Sequence, residues 1–300
     1  MTLNDTVTAV VPDARRRRRV RKPAVASRLQ RVLSTPIVAI VVIANVAMLA
    51  WLLMSAFKES RDILNQPWAL PTQLHWENFA LAWSTGNFGV ATFNSVVLTL
   101  GTAFFTILFA APAAYALSRF SNRAANPLTS LFAICVGIPA QAIFLPMFAM
   151  LAPIGLVNNL FGLLIIYVGT SLPFAVFFLT GFFRTLPVEL EEAAALDGAT
   201  PALTFWRVML PLARPGLITL VILNVIGHWG ETFFALVFLQ SQELQTLPLA
   251  LLGYLQQMQY NGMNWGGMFA GIAVTVLPIL VLYLWVGRRI IEGMTLGATK

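Results

Sequence analysis

The chain has 300 residues, 58% of them hydrophobic and 10% charged, with a mean hydropathy of +0.77 and a formal net charge of +7. So much apolar surface exceeds what one aqueous core can hide, which excludes an ordinary soluble domain and makes lipid part of the solvent. A single cysteine, Cys135, excludes an intrachain disulfide, and its apolar surroundings read as core packing.

Residues 1–35 are a basic segment holding nine of the nineteen lysines and arginines, among them the five arginines at 15–19. A run of this kind is a nucleic-acid patch or a topology anchor. Its place just before an apolar stretch favours the anchor, and no nucleic-acid partner is expected. Residues 36–57 (PIVAIVVIANVAMLAWLLMSAF) form the first predicted span, about 33 Å long as a helix. It is too long for a signal-peptide core and has no convincing cleavage site, so it is expected to be retained. Residues 58–88 form an external loop whose Trp68, Trp76 and Trp83 read as membrane-surface aromatics, with His75 a polar surface residue.

A five-span core is predicted over residues 89–287. The second span, 90–117, carries Asn94, Ser95, Thr99 and Thr102 and is followed by Arg119 and Arg123. Residues 128–149 and 159–182 read as the third and fourth spans, with no charged residue anywhere from 124 to 183. Pro139 and Pro146 in the third, Pro173 in the fourth and Pro278 in the sixth each read as a packing kink when taken alone. Together with Asn94, Gln141, Ser171 and Asn224 they point to a bundle with a polar interior, although such side chains also serve as glue between helices.

After the fourth span comes a polar elbow, residues 185–214 (TLPVELEEAAALDGATPALTFWRVMLPLAR), with four of the twelve acidic residues. Two short helices joined by a turn are predicted. Thr185 is the expected first N-cap, Glu189, Glu191 and Glu192 favour the positive end of the dipole, and Asp197-Gly198 is the expected stop. Thr200-Pro201 reads as a second cap, and Pro211 as the end of the second helix. The fifth span is predicted over 215–239, a polar loop over 240–264, the sixth span over 265–286 and a tail over 288–300. In the fifth span His228 and Glu231 are three apart on one helical face with Trp229 between them. An ionisable pair inside a span marks either a translocation path or a paired structural site.

Catalytic and cofactor motifs are absent: no G-x-x-x-x-G-K-[ST], no G-x-S-x-G, no H-E-x-x-H and no metal-ligand cluster from two histidines and one cysteine. No cofactor is expected, and if the chain is a pump its energy is supplied elsewhere. Six spans put both termini on one side together with the elbow. That side carries 17 lysines and arginines against Lys58 and Arg61 on the other, so the termini and the elbow are expected to be cytoplasmic.

The sequence Glu192-Ala193-Ala194, then Asp197-Gly198-Ala199, then Leu210-Pro211, resembles the cytoplasmic "EAA" signature of permease subunits of bacterial ABC importers. The run EEAAALDGATPALTFWRVMLPLARPGL is most similar to the carbohydrate-uptake subfamily, which includes maltose permeases. Phe93-Asn94-Ser95, Ile138-Pro139, Leu145-Pro146, Leu247-Pro248-Leu249 and the tail at 293–298 agree, so the resemblance covers roughly residues 36–300. One departure is Gly230, where many sugar permeases have Asn. The resemblance implies an all-α integral membrane protein with six transmembrane helices, the type I ABC importer permease fold, and a cytoplasmic coupling helix. It implies as partners a second permease subunit in a heterodimer, two ABC ATPase subunits, an external solute-binding protein and a sugar substrate. Glu192, Ala193, Ala194, Asp197 and Gly198 would couple to the ATPase. Asn94, Gln141, Asn224, His228, Trp229 and Glu231 are the candidates for a translocation path. Two other readings stand beside this one. A self-sufficient ion-coupled carrier would use His228 and Glu231 but calls for more intramembrane charge and an internal repeat. A membrane-embedded enzyme calls for a nucleophile–base pair or a metal cluster.

Overall fold

The computed structural model describes residues 24–119 and 125–296, with side chains placed over 35–119, 125–260 and 262–285. The arginine run at 15–19, Arg123 and the end of the tail at 297–300 lie outside the described residues. Among the described residues every regular element is helical. The chain divides into two units, Met1–Trp51 and Leu52–Lys300.

The first unit holds most of α1 (Ala24–Ser55), which runs through Pro36 instead of starting there. Its Thr35–Ser55 portion has a mean hydropathy of 2.7, and none of its most apolar window is buried inside the chain. A 21-residue helix apolar all round is long enough to cross a lipid layer.

The second unit opens with two short helices, α2 (Ser60–Asn65) and α3 (Glu77–Thr85), in the stretch expected to be a loop. Lys58 is buried there, and its Nζ donates to the carbonyls of Gln66 (3.0 Å) and Pro67 (3.2 Å), which clips the loop to the end of α1. Asn78 donates to the carbonyls of Ala56 and Lys58 in the same knot. His75 lies 2.6 Å from Glu77, whose carboxyl is held below its usual range first by its own backbone N–H and then by His75. Trp68, Trp76 and Trp83 are exposed.

Helix α4 (Phe88–Arg119) has 32 residues, about 48 Å at 1.5 Å per residue, so it overshoots an apolar layer of about 30 Å. The third predicted span is not one helix. It divides into α5 (Ala125–Val136), a 3-10 turn (Ala140–Ile143) and α6 (Phe144–Leu151), with a 92° bend. Pro139 is the cause: it disfavours helical backbone at Ile138 and has no N–H to continue the ladder. Helix α7 (Leu160–Arg184) then crosses in one piece, capped by the Asn159 side chain, which accepts from the N–H of Phe161.

The elbow consists of α8 (Glu189–Leu196) and α9 (Pro201–Thr204). The latter continues through a π turn (Phe205–Met209) into α10 (Leu210–Leu212), and a 71° bend leads to α11 (Arg214–Trp229). The fifth predicted span therefore stops at Trp229, and after a break α12 (Phe233–Phe238) takes over. The polar loop expected over 240–264 is mostly a helix, α13 (Leu247–Asn261), followed by α14 (Trp265–Leu296). Its buried Leu247, Ala250, Tyr254 and Met258 recur at helical spacing, a pattern masked by the glutamines between them.

Packing is built on α4 against α7. At the elbow end Ala110, Ala111 and Ala114 of α4 meet Ala175, Val176 and Leu179 of α7, small residues that let two helices approach closely. Phe205, Met209 and Ala213 of the elbow join the same core. Gly216, at the start of α11, lies against the Phe182 ring, where a Cβ would come within 2.8 Å. At the other end Phe88 of α4 packs with Tyr254 of α13 and with Ala270 and Ala273 of α14.

Candidate functional site

Two sets of polar residues stand out against this apolar frame. One is the elbow. Thr185 is not the N-cap of α8; it closes α7, its Oγ1 donating to the carbonyl of Phe182 (2.7 Å). Helix α8 starts at Glu189 without a side-chain cap, leaving Glu189, Glu191 and Glu192 in its first turn to meet the positive end of the dipole. Its other end is a Schellman turn: the N–H of Ala199 donates to Ala194, that of Gly198 donates to Ala195, and Gly198 is left-handed at φ +81°. Nothing lies within 4 Å of where a Gly198 Cβ would be, so backbone conformation alone requires glycine there within this chain. Thr200 does cap α9, accepting from the N–H of Leu203 (3.3 Å). Pro211 does not end the second helix. It follows the π turn, in which the N–H of Leu210 reaches back to the carbonyl of Phe205, and the helix continues to Leu212.

Of the five signature residues, Glu192, Ala193, Asp197 and Gly198 are exposed and Ala194 is half-buried. Leu196, on the same short helix, is 90% exposed, and Val188 and Leu190 are exposed beside it. Glu191, one position earlier than the signature glutamate, turns the other way. Its Oε1 accepts from Arg119 Nε (2.5 Å), its Oε2 accepts from Tyr115 OH (3.1 Å), and Arg119 Nη2 donates to the carbonyl of Leu186 (3.0 Å). The sequence signal for this contact is the i, i+4 spacing of Tyr115 and Arg119 at the end of α4.

The other set surrounds the break after α11. Glu231 does not share a helix face with His228; it occupies the break, where Gly230 and Thr232 flank it. Its carboxylate accepts from the N–H groups of Phe234 (2.9 Å) and Ala235 (3.3 Å), the unpaired donors at the start of α12, and from Tyr167 OH of α7 (2.5 Å). The Glu231 carboxyl group is thereby satisfied by a helix end and a phenol. The ring of His228 lies 4.7 Å from that of Tyr167. His228 Nδ1 is 2.9 Å from the carbonyl of Asn224, which can only accept, so Nδ1 carries the proton and Nε2 faces Ser171 Oγ at 3.4 Å.

The remaining candidates are dispersed. Trp229 points away, donating Nε1–H to the carbonyl of Thr275 on α14 (3.0 Å). Asn224 donates to Leu220, and its Oδ1 is buried without a partner, as are the hydroxyls of Thr102 and Thr106 on α4. Asn94 is buried and donates to the carbonyls of Glu243 and Gln245, while Ser95 accepts from the N–H of Leu247. These two residues hold the start of α13 against α4. Gln141 is exposed in the break of the third span. Sequence reading missed a further hub at Asn158, left-handed at φ +54°. Its Oδ1 accepts from the N–H groups of Gln240 and Ser241, its Nδ2 donates to Ser241 Oγ (2.7 Å), and its own N–H donates to Phe238 (2.7 Å).

Comparison with known proteins places the chain in a family. Residues 106–295 match the family described as binding-protein-dependent transport system inner membrane component. The chain is 34% identical over 257 residues to the "Probable ABC transporter permease protein YurM" of Bacillus subtilis, covering 84% of this chain and 83% of the relative. It is 35% identical over 250 residues to the "Diacetylchitobiose uptake system permease protein NgcG" of Streptomyces coelicolor, covering 83% and 82%. In fold it is similar to a solved bacterial ABC transporter involved in import of the acidic polysaccharide alginate, with a TM-score of 0.75 at 21% identity, covering 88% of this chain and 97% of that one. It is a transport component, not an enzyme, and neither the ion-coupled carrier nor the membrane enzyme is supported. The chain belongs to the binding-protein-dependent transport system inner membrane components, the permease subunits of ABC importers.

Proposed function

We propose that this permease imports a sugar or oligosaccharide and that α8 is the surface on which a separate ABC ATPase acts. The observation that carries the coupling role is the outward face of α8: Glu192, Asp197 and Leu196 are exposed on a short helix closed by a glycine turn. The sugar class is supported by the diacetylchitobiose uptake named for a relative 35% identical to this chain. The assembly we propose contains a second, different permease subunit, two ATPase subunits and an external solute-binding protein. The charge distribution supports cytoplasmic termini and a cytoplasmic elbow, with the exposed tryptophans of the α2–α3 loop at the opposite lipid surface.

Within the bundle we assign the path to Gln141, Asn224, His228 and Glu231. Asn224 has a buried acceptor without a partner and His228 has one ring nitrogen turned to Ser171. Asn94 and Trp229 border it as ties between helices. Coupling is tested by copurification: Gly198→Val is expected to insert normally and to lose the ATPase, and retention of the ATPase overturns the assignment. Substrate class is tested on the cognate solute-binding protein with a thermal-shift panel of diacetylchitobiose, maltose and methionine. Stabilisation by methionine and by neither sugar would overturn the sugar reading.

A further inference from the structure

We propose that Arg119 and Tyr115 on α4 grip Glu191 on α8 as a transmission clamp, making the elbow and the α4–α7 pair move as one body. The inference rests on the reading of α8 as the ATPase-docking helix.

An eight-residue helix between two turns cannot carry direction by its backbone alone; an isolated helix of that length is marginal even as a helix. On one side it is joined through 185–188, and on the other through the left-handed Gly198. A push on α8 would flex these joints unless side chains tie it down. Beside packing of α8 on the π turn and α9, the polar tie among the described residues is one carboxylate. Arg119 meets Glu191 at 2.5 Å, Tyr115 meets its other oxygen at 3.1 Å, and the charged pair is shielded, with side chains 12% and 18% exposed. The guanidinium also holds the Leu186 carbonyl just beyond α7 at 3.0 Å, the kind of forked contact that arginine makes and lysine does not. The Tyr115 ring packs against Phe183 of α7 (5.6 Å) and Phe205 of the π turn (5.1 Å). Glu191 and Glu192 are about 100° apart around α8, so one faces the bundle and the other faces outward. Helix α4 then carries motion along its full length, since Asn94 near its far end holds the carbonyls of Glu243 and Gln245.

The test uses the assembled importer in lipid nanodiscs, in a Cys135→Ser background, with spin labels at Ala195 on α8 and Leu108 on α4. The clamp requires one Ala195–Leu108 distance, the same with and without the non-hydrolysable nucleotide AMP-PNP. Arg119→Met and Glu191→Gln are each expected to match that distance without nucleotide, to lose it with AMP-PNP, and still to copurify the ATPase. The rise in ATP hydrolysis on adding the solute-binding protein is lost in the same variants. A single unchanged distance in Arg119→Met with AMP-PNP overturns the proposal, as does a distance already altered without nucleotide, which would make the contact a fold determinant only. Failure of the docking reading shows separately, as ATPase retained by Gly198→Val.

Discussion

Gly198 and Glu231 show how differently two polar-looking positions are determined. At Gly198 the constraint is φ +81° with empty space around the Cβ position. A non-glycine residue there costs about 1–2 kcal/mol of backbone strain, less for Asn, which tolerates left-handed backbone. Gly198→Asn is therefore expected to fold and insert like the parent, with Gly198→Val the more destabilised in thermal unfolding in detergent. If Asn folds normally yet loses the ATPase, the partner's surface lies against that Cβ. At Glu231 the constraint is the set of donors it satisfies. Glu231→Ala leaves the N–H groups of Phe234 and Ala235 and the Tyr167 hydroxyl without their acceptor, a loss of about 1–3 kcal/mol per buried group. Glu231→Gln keeps one acceptor oxygen, so the melting temperature is expected to fall in the order parent, Gln, Ala. Equal melting of parent and Ala would show that α12 does not depend on this cap.

At the scale of elements, the spans without a break were legible in the sequence because length and apolar composition decide them. The breaks were harder to read. Pro139 marks a kink in the sequence, but the 92° turn it permits depends on where α6 packs, with Phe144 against Phe233 and Phe148 against Phe238. Helix α13 reads as loop in the sequence because its glutamines hide the buried stripe, and because its first N–H is satisfied from α4, 152 positions away in sequence. The signature residues of the elbow were legible as a motif. Glu191 was not, since its role depends on two residues of α4 and a π turn. Asn158 illustrates the same limit: a single polar residue in a turn carries the junction with 238–241. Asn158→Gly keeps the left-handed backbone and loses the side-chain bonds, about 1–3 kcal/mol in all, while Asn158→Ala adds strain of about 1 kcal/mol. Limited proteolysis of the 240–246 segment is expected to accelerate in both variants, and faster in Ala.

For the molecule as a whole, the direction of the chain through the bilayer ties the separate readings together. The 17 basic residues on the elbow side against Lys58 and Arg61 on the other argue for an inward-facing elbow, and Lys58 is itself buried on backbone carbonyls, so it adds little charge to its surface. An ATPase that uses cellular ATP can reach α8 only from inside. In that orientation a solute-binding protein outside the membrane would meet the end formed by α2, α3 and α13. Single cysteines at Leu196, 90% exposed, and Tyr260, 89% exposed, report the two ends. With a membrane-impermeant maleimide, Tyr260→Cys is expected to label in intact spheroplasts, and Leu196→Cys only after the membrane is opened. Labelling of Leu196→Cys from outside would invert the molecule and remove the coupling role from α8, because a helix facing away from ATP cannot be driven by it.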